Sequence, residues 1–369
     1  MRIALVHDWL TGMRGGEKVL SGLMELFPGA DIFTLVYRPE KFGDLFEGRR
    51  VITSALQRLP FGKTRYPYYL PFYWELMGGF DLSSYDLIVS SSSACAKWVR
   101  NPKNVLHVCY CHTPMRYIWD LFDDYFGPST SPWVRWPAKF VRPYLQRCDL
   151  KSNEGVTHFL ANSTEVQGRI KRLYGRESQV FHPPVEVGRF QGPKEQGEYY
   201  LVLSALVPYK RVDLAVRVCT ERKLPLVVVG RGPEERRLKS LAGPTVTFKG
   251  QASDEEVASY YRRAKALLFP GKEDFGIVPV ESLAAGCPVI AFGEGGVMDT
   301  LKDGETGVLF REQTLAALGE ALERFEGMSF DPEALRERAK PFSRERFLFK
   351  IQVYFRRLYG IPAIPDNKV

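Results

Sequence analysis

Apolar, β-branched runs alternate with stretches of helical spacing along most of the chain, beginning at its first residues. Ile3-Ala4-Leu5-Val6 predicts a short buried strand, with a loop from Trp9 to Gly16 and a helix starting near Glu17. Further strands are predicted at Asp31–Val36, Leu87–Ser90, Val105–Cys111 and Thr157–Ala161. The periodicity stops at Phe190–Gly197, a polar stretch bearing Gly and Pro that reads as a linker. It restarts with strands at Tyr200–Ser204, Leu226–Gly230, Val246–Lys249, Ala266–Phe269 and Val289–Phe292. This alternation implies an α/β protein of two successive, Rossmann-like, doubly wound domains. Ligands of such sheets sit at the carboxyl ends of the strands, and two such ends can face each other across a cleft. The expected divisions are 1–190, 191–342 and 343–369. The last contains a basic amphipathic helix from Ser343, a fitting N-cap, to Tyr359. Its stripe of Phe347, Ile351, Tyr354, Phe355 and Leu358 needs a surface to cover.

Composition narrows the classes. A length of 369 residues exceeds a single core, and 45% hydrophobic with 25% charged residues excludes disorder. The net charge of +8 suits a phosphate-bearing partner: a nucleotide, a phospholipid surface, a nucleic acid or a diphosphate-linked lipid. No apolar run reaches the roughly 18 residues of a membrane span, and Met1–Asp8 turns polar too early for a signal peptide. The six cysteines are scattered, which reads as buried free thiols in a reducing, cytoplasmic setting. His107, Cys109 and Cys111 line one face of a strand that ends at His112. Strand neighbours lie in a row where metal ligands must converge, so packing against helices is expected and a metal is not.

The densest chemistry lies between Pro270 and Gly286. Pro279 fits the first turn of a helix, so Phe275, Gly276, Ile277 and Val278 would present backbone N–H groups to an anion or a sugar hydroxyl. Glu273 precedes that turn and Glu281 falls within it. A carboxylate accepts two hydrogen bonds side by side, as a vicinal diol offers. From the residues alone, a solvated Glu273 and a Glu281 complementing the helix dipole are equally open. Lys210 and Arg211 place two cations at a strand-to-helix turn, and they too could be ordinary helix-start charges. Gly15-Gly16 lies between the first strand and first helix and would allow close backbone approach to phosphate, or simply make a turn. The Gly-x-G-x-x-Gly fingerprint is absent there, which speaks against a nicotinamide enzyme.

Taken together, several segments resemble glycosyltransferase family 4, the retaining enzymes of GT-B fold. Glu273 to Glu281 is similar to the family's Glu-x7-Glu motif, and His7-Asp8 with Thr11–Glu17 to its N-terminal Gly-Gly-x-Glu-type loop. Tyr110-Cys-His-Thr-Pro-Met-Arg-Tyr117 and on to Asp120 resembles a segment of its bacterial polysaccharide mannosyltransferases. Ala161-Asn162-Ser163, Ser204–Arg211, Gly293–Gly296 and Thr306-Gly307 match in order. The resemblance implies an N-terminal acceptor domain, a nucleotide-sugar domain and a terminal helix returning to the first. It implies Lys210 and Arg211 on the donor diphosphate, Glu273 on the sugar and Glu281 on the ribose. It also implies His112 hydrogen-bonding the transferring sugar, with the leaving phosphate taking the acceptor's proton. Ala205 stands where the family commonly has an arginine, which weakens the diphosphate clamp. No Asp-x-Asp occurs, in keeping with neutralisation by Lys, Arg and helix dipoles in place of a metal.

The resemblance is strongest to enzymes using GDP-mannose as substrate, with no separate cofactor. UDP-sugars share the same grip, and base selection is expected near Lys249–Ser253. Arg58–Trp74 and Trp133–Arg147 interleave cations with Trp, Tyr and Phe. They suit an anionic membrane face and a glycan or polyprenyl-diphosphate-linked acceptor, or else pack the first domain or stack on sugar rings. No nucleic-acid motif accompanies them. A UDP-sugar transferase, another sugar-nucleotide enzyme and a non-catalytic sugar-nucleotide sensor remain the alternatives.

Overall fold

The computed structural model describes residues 1–101, 104–127, 130–190, 192–195 and 197–359. The chain forms two compact units: one joins Met1–Pro184 to the segment from Phe347 onward, and the other is Val185–Arg346. The first holds a parallel sheet of β1 (Ile3–His7), β2 (Asp31–Thr34), β3 (Val51–Thr53), β4 (Leu87–Ser92), β5 (Leu106–Cys111), β6 (His158–Ala161) and β7 (Ser178–Val180). Its order is β3-β2-β1-β4-β5-β6-β7. The second holds β8 (Tyr199–Leu203), β9 (Leu226–Val229), β10 (Val246–Gly250), β11 (Ala264–Phe269), β12 (Val289–Phe292) and β13 (Gly307–Phe310), also parallel. Its order, β10-β9-β8-β11-β12-β13, repeats the first sheet without its last strand.

Central strands are apolar on both faces because helices cover both sides, which is why β4, β9 and β12 read so clearly. The strands with no sequence signal are β3, β7 and β13, all at sheet edges. β3 and β7 are three residues long and mostly half-buried, so no apolar run marks them.

The division between the units falls after Pro184, ahead of the polar stretch at 190–197. Val185 and Phe190 are fully buried in the second unit's core, and the Val185 N–H donates to the Phe342 carbonyl at 3.0 Å. Gln191 and Gln196 of the expected linker lie outside the described residues, as do residues 360–369 of the expected third segment. The terminal helix runs Arg344–Tyr359, with the Ser343 hydroxyl accepting from the Arg346 N–H at 3.3 Å. Phe347, Ile351, Tyr354 and Phe355 are buried in the first unit with Leu5, Val19, Leu20, Leu23 and Phe27.

Candidate functional site

In both sheets the strand order reverses once, between β1 and β4 and between β8 and β11. The chain leaves such neighbours in opposite directions, which opens a crevice at their carboxyl ends. The residues singled out by sequence fall at these two reversals or beside them.

In the first unit, β1 runs into His7 and Asp8, and the helix Gly15–Leu26 follows the loop. Asp8 is buried and its carboxylate is fully engaged. It accepts from the N–H groups of Ser93, Ala94, Cys95 and Ala96 at 2.6–3.1 Å and from the Ser93 hydroxyl at 2.8 Å. It therefore ties the end of β1 to the loop after β4 and has no capacity left for a ligand. Register places His7 beside Ser91, and Ser91 beside Tyr110, two residues before His112. Residues two apart on a strand share a face, so His7, Ser91 and His112 converge. The Ser91 hydroxyl lies 3.2 Å from His7 Nδ1 and 2.8 Å from His112 Nε2. Glu17 Oε1 stands 3.8 Å from His7 Nε2, while its Oε2 accepts from the Arg14 N–H at 3.0 Å.

Gly15 and Gly16 open the helix, two residues before the expected start, so their N–H groups belong to its unbonded first turn. A Cβ at Gly16 would lie 3.4 Å from His7 Cε1 and 3.5 Å from His112 Nε2. Any side chain beyond a methyl would cover both imidazoles. The segment after His112 is pinned from its own unit. The buried Arg169 donates to the Thr113 hydroxyl at 2.7 Å and pairs with Asp120 at 2.9 Å, and Trp119 donates to Asp149 at 2.8 Å.

The opposite face of β5 is structural. His107 contacts Ser90 Oγ at 2.7 Å through Nε2 and the Gly155 carbonyl at 3.2 Å through Nδ1, and burial brings its pKa down to about 4. Cys109 and Cys111 pack with Val166 and Ile170 of the helix Thr164–Tyr174, and burial pushes the Cys109 thiol up to about 12. Among the described residues no three His, Cys, Asp or Glu side chains are grouped to hold a metal ion.

In the second unit, β8 leads through a single helical turn, Pro208–Lys210, to Arg211 in the left-handed region at φ 51°. Lys210 pairs with Glu273, which follows β11, and both side chains are only partly exposed. Their loops are flush: a Cβ at Gly271 would stand 2.8 Å from Lys210 Cα. Arg211 turns to Asp213 at 3.3 Å. The loop after β12 clamps the Glu273 backbone, with the Gly296 N–H donating to the Glu273 carbonyl at 2.8 Å.

The following helix spans Ile277–Ala284, with Gly276 as N-cap and Pro279 in its first turn. The N–H groups of Ile277 and Val278 belong to that turn, whereas the Phe275 side chain is buried against Phe342. Only the backbone of Phe275 is thus left to act on a ligand. Glu281 sits just past the first turn, buried, with different partners from Glu273. Tyr261 donates to its Oε2 at 3.3 Å, and Arg189 Nη2 lies 3.8 Å from its Oε1. Burial, with Glu281 alongside, raises the Tyr261 hydroxyl well above its ordinary range, so it stays a donor.

Sequence reasoning singled out Gly15, Gly16, His112, Lys210, Arg211, Glu273, Gly276 and Glu281 but not their contact partners Ser91, Arg189 and Tyr261. Chain order hides these contacts, since Ser91 is 84 residues from His7.

Two parallel sheets of this order, with charged groups at each reversal, constitute the GT-B fold. Anabaena Alr3699/HepE in complex with UDP and glucose superposes with a TM-score of 0.69 at 16% identity, over 96% of this chain and 99% of that one. Residues 13–189 match the family described as Glycosyltransferase Family 4 and residues 186–344 that described as Glycosyl transferases group 1, and the chain belongs to this glycosyltransferase family. It is 44% identical over 102 residues to the phosphatidyl-myo-inositol mannosyltransferase of Mycobacterium leprae, covering 26% of this chain and 27% of that protein. It is 29% identical over 168 residues to the O-antigen chain mannosyltransferase RfbU of Salmonella typhimurium, covering 42% and 48%. The chain thus spans less than half the length of either relative.

Proposed function

We propose that this glycosyltransferase is a retaining, metal-independent hexosyltransferase that moves mannose from GDP-mannose to a glycan or polyprenyl-diphosphate-linked glycan in cell-surface polysaccharide synthesis. The observation that carries the reading is the Lys210–Glu273 pair at the second unit's reversal. A donor diphosphate holds more negative charge than one carboxylate and competes for Lys210. Glu273, released from its cation, then accepts hydrogen bonds from the sugar. Arg211 and the N–H groups of Gly15, Gly16, Ile277 and Val278 supply the remaining positive potential. Glu281, oriented by Tyr261 and Arg189, takes the ribose diol, and His112 hydrogen-bonds the transferring sugar. As the bond from sugar C1 to the diphosphate breaks, the acceptor oxygen bonds to C1 on the same face. The departing phosphate oxygen receives its proton.

Mannose is supported by the two relatives named as mannosyltransferases, and the neighbour crystallised with UDP and glucose supports a UDP-sugar as the second reading. The test is a screen of GDP- and UDP-sugars for transfer, read by mass spectrometry and paired with calorimetric titration of GDP and UDP. Preference for UDP overturns the donor assignment. Inversion of the product anomer, read by NMR, overturns retention, and loss of transfer in EDTA overturns metal independence.

A lipid-linked acceptor is supported by one face of the first unit. Along the helix Pro132–Lys151, Trp133, Trp136, Phe140 and Tyr144 stand exposed at helical spacing, and Phe61, Tyr68 and Phe72 are exposed in a segment whose Tyr68 shares a cavity with Trp133. Arg135, Lys139 and Arg147 accompany the stripe, Arg142 turns inward to the Ile118 and Trp119 carbonyls, and the helix has no acid before the buried Asp149. An apolar cavity of about 240 Å³ lies beneath Tyr68 and Trp133. Aromatic rings among cations match the interface of an anionic bilayer. Among the described residues no helix is long and apolar enough to cross a membrane. Co-sedimentation with phosphatidylglycerol vesicles at low salt is expected, weakened about tenfold by Trp136→Ser with Phe140→Ser. Indifference to the vesicles removes the membrane contact.

A further inference from the structure

We propose that Glu17, His7 and Ser91 are positioning residues that fix the tautomer of His112. The proposal rests on His112 as the group that meets the sugar, but the chain of contacts stands without that reading. Glu17, His7 and Ser91 are buried, so solvent does not compete for their protons. Among the described residues the Ser91 hydroxyl contacts two rings, His7 Nδ1 at 3.2 Å and His112 Nε2 at 2.8 Å. It has one proton to donate, so it donates to one ring and accepts from the other.

Glu17 sets the direction. Its carboxylate stands 3.8 Å from His7 Nε2, beyond direct hydrogen-bond distance, and its negative charge favours the His7 proton on that facing nitrogen. His7 Nδ1 then carries the lone pair and takes the Ser91 proton. The Ser91 oxygen in turn takes the proton of His112 Nε2, and His112 Nδ1 is left as an acceptor. A sugar hydroxyl meeting that nitrogen donates to it. A Cβ at Gly16 would sit in van der Waals contact with both rings, so the helix start packs directly on the relay.

The same strand holds an internal control. His107 Nδ1 faces the Gly155 carbonyl, which can only accept, and its Nε2 faces Ser90. His107 must therefore carry its proton on Nδ1, the reverse of His112. Two histidines, one on β5 and one just past its end on the opposite face, are thus held in opposite tautomers, His107 by a backbone carbonyl and His112 through a serine of β4.

With five histidines in the chain, nitrogen-15 histidine labelling resolves the question on the intact protein. Two-bond proton–nitrogen spectra are expected to show His107 protonated on Nδ1 and His112 on Nε2. Ser91→Ala should leave His107 unchanged and release the His112 preference, lowering kcat about tenfold with the donor KM nearly constant. His7→Asn keeps an acceptor oxygen where Nδ1 stood, so the His112 signature should return to that of the wild type, with kcat above that of Ser91→Ala. A wild-type His112 protonated on Nδ1 overturns the proposal, as does a His112 spectrum unmoved by Ser91→Ala. Absence of any transfer would instead overturn the proposed function and leave the tautomer result standing.

Discussion

The two sheets share a strand order, yet the acids at their reversals are committed differently. After β1, Asp8 is closed around four backbone N–H groups of its own unit and a hydroxyl. After β11, Glu273 is held by the side-chain ammonium of a lysine, and Glu281 by a tyrosine and an arginine at 3.3 and 3.8 Å. A carboxylate bonded to backbone amides cannot be exchanged without unfolding the loop. One bonded to a side-chain cation can be exchanged for a ligand. The acid after the first strand of one sheet is therefore a fastener, whereas the acid after the fourth strand of the other, across the same reversal, is held exchangeably, as the proposed donor site requires.

The largest effect that could break this contrast is on stability. Asp8→Ala leaves buried donors unsatisfied and should cost at least about 4 kcal/mol, or prevent folding, in urea denaturation. Glu273→Gln should cost less, roughly 1–2 kcal/mol, because the amide oxygen still accepts from Lys210 and water reaches part of the pair. Equal costs would erase the distinction. Next comes activity. Lys210→Met should lower transfer roughly 10²–10³-fold and weaken GDP binding in calorimetry. Glu273→Gln should lower transfer comparably while GDP binds at least as well, since Lys210 loses its competitor. Parallel loss of both in the two variants would contradict the exchange of carboxylate for diphosphate.

A smaller effect tests the structural face of β5. The pKa of His107 falls from 6.5 to about 4 on burial, so between those values the unfolded chain binds more protons. Stability contributed by keeping this ring neutral is complete above pH 6.5. It is lost as pH falls toward 4, by about 3 kcal/mol. In His107→Asn the slope of stability against pH across that window should flatten. An unchanged slope would place the acid sensitivity elsewhere.

The central strands and the terminal helix were legible because apolar runs and helical spacing are local properties. Glu273, Glu281 and Lys210, which carry the proposed donor site, could be singled out because they stand in short segments with their own turn chemistry. Their partners could not. Ser91 reads as one serine among several until β1 and β4 pair in register with His7 opposite it. Arg189 lay next to an expected linker, and only the second unit's core shows that its neighbour Phe190 is buried there. The role of Asp8 depends on amides 85 to 88 residues away, which no spacing announces. Edge strands escaped for a different reason, since a three-residue strand with one neighbour needs no apolar run.

The terminal helix also has a consequence for the order in which the protein comes into being. Phe347, Ile351, Tyr354 and Phe355 fill the core under β1 and the helix Gly15–Leu26, but they are the last of that core to be synthesised. By the time they emerge from the ribosome, Val185–Arg346 is already complete in sequence. The unit made first is thus finished last, and Leu20, Leu23 and Phe27 wait uncovered through the synthesis of the other. A nascent chain halted before residue 347 would present that patch to chaperones, and a fragment ending at Pro184 would need the final helix supplied as a separate peptide to become soluble.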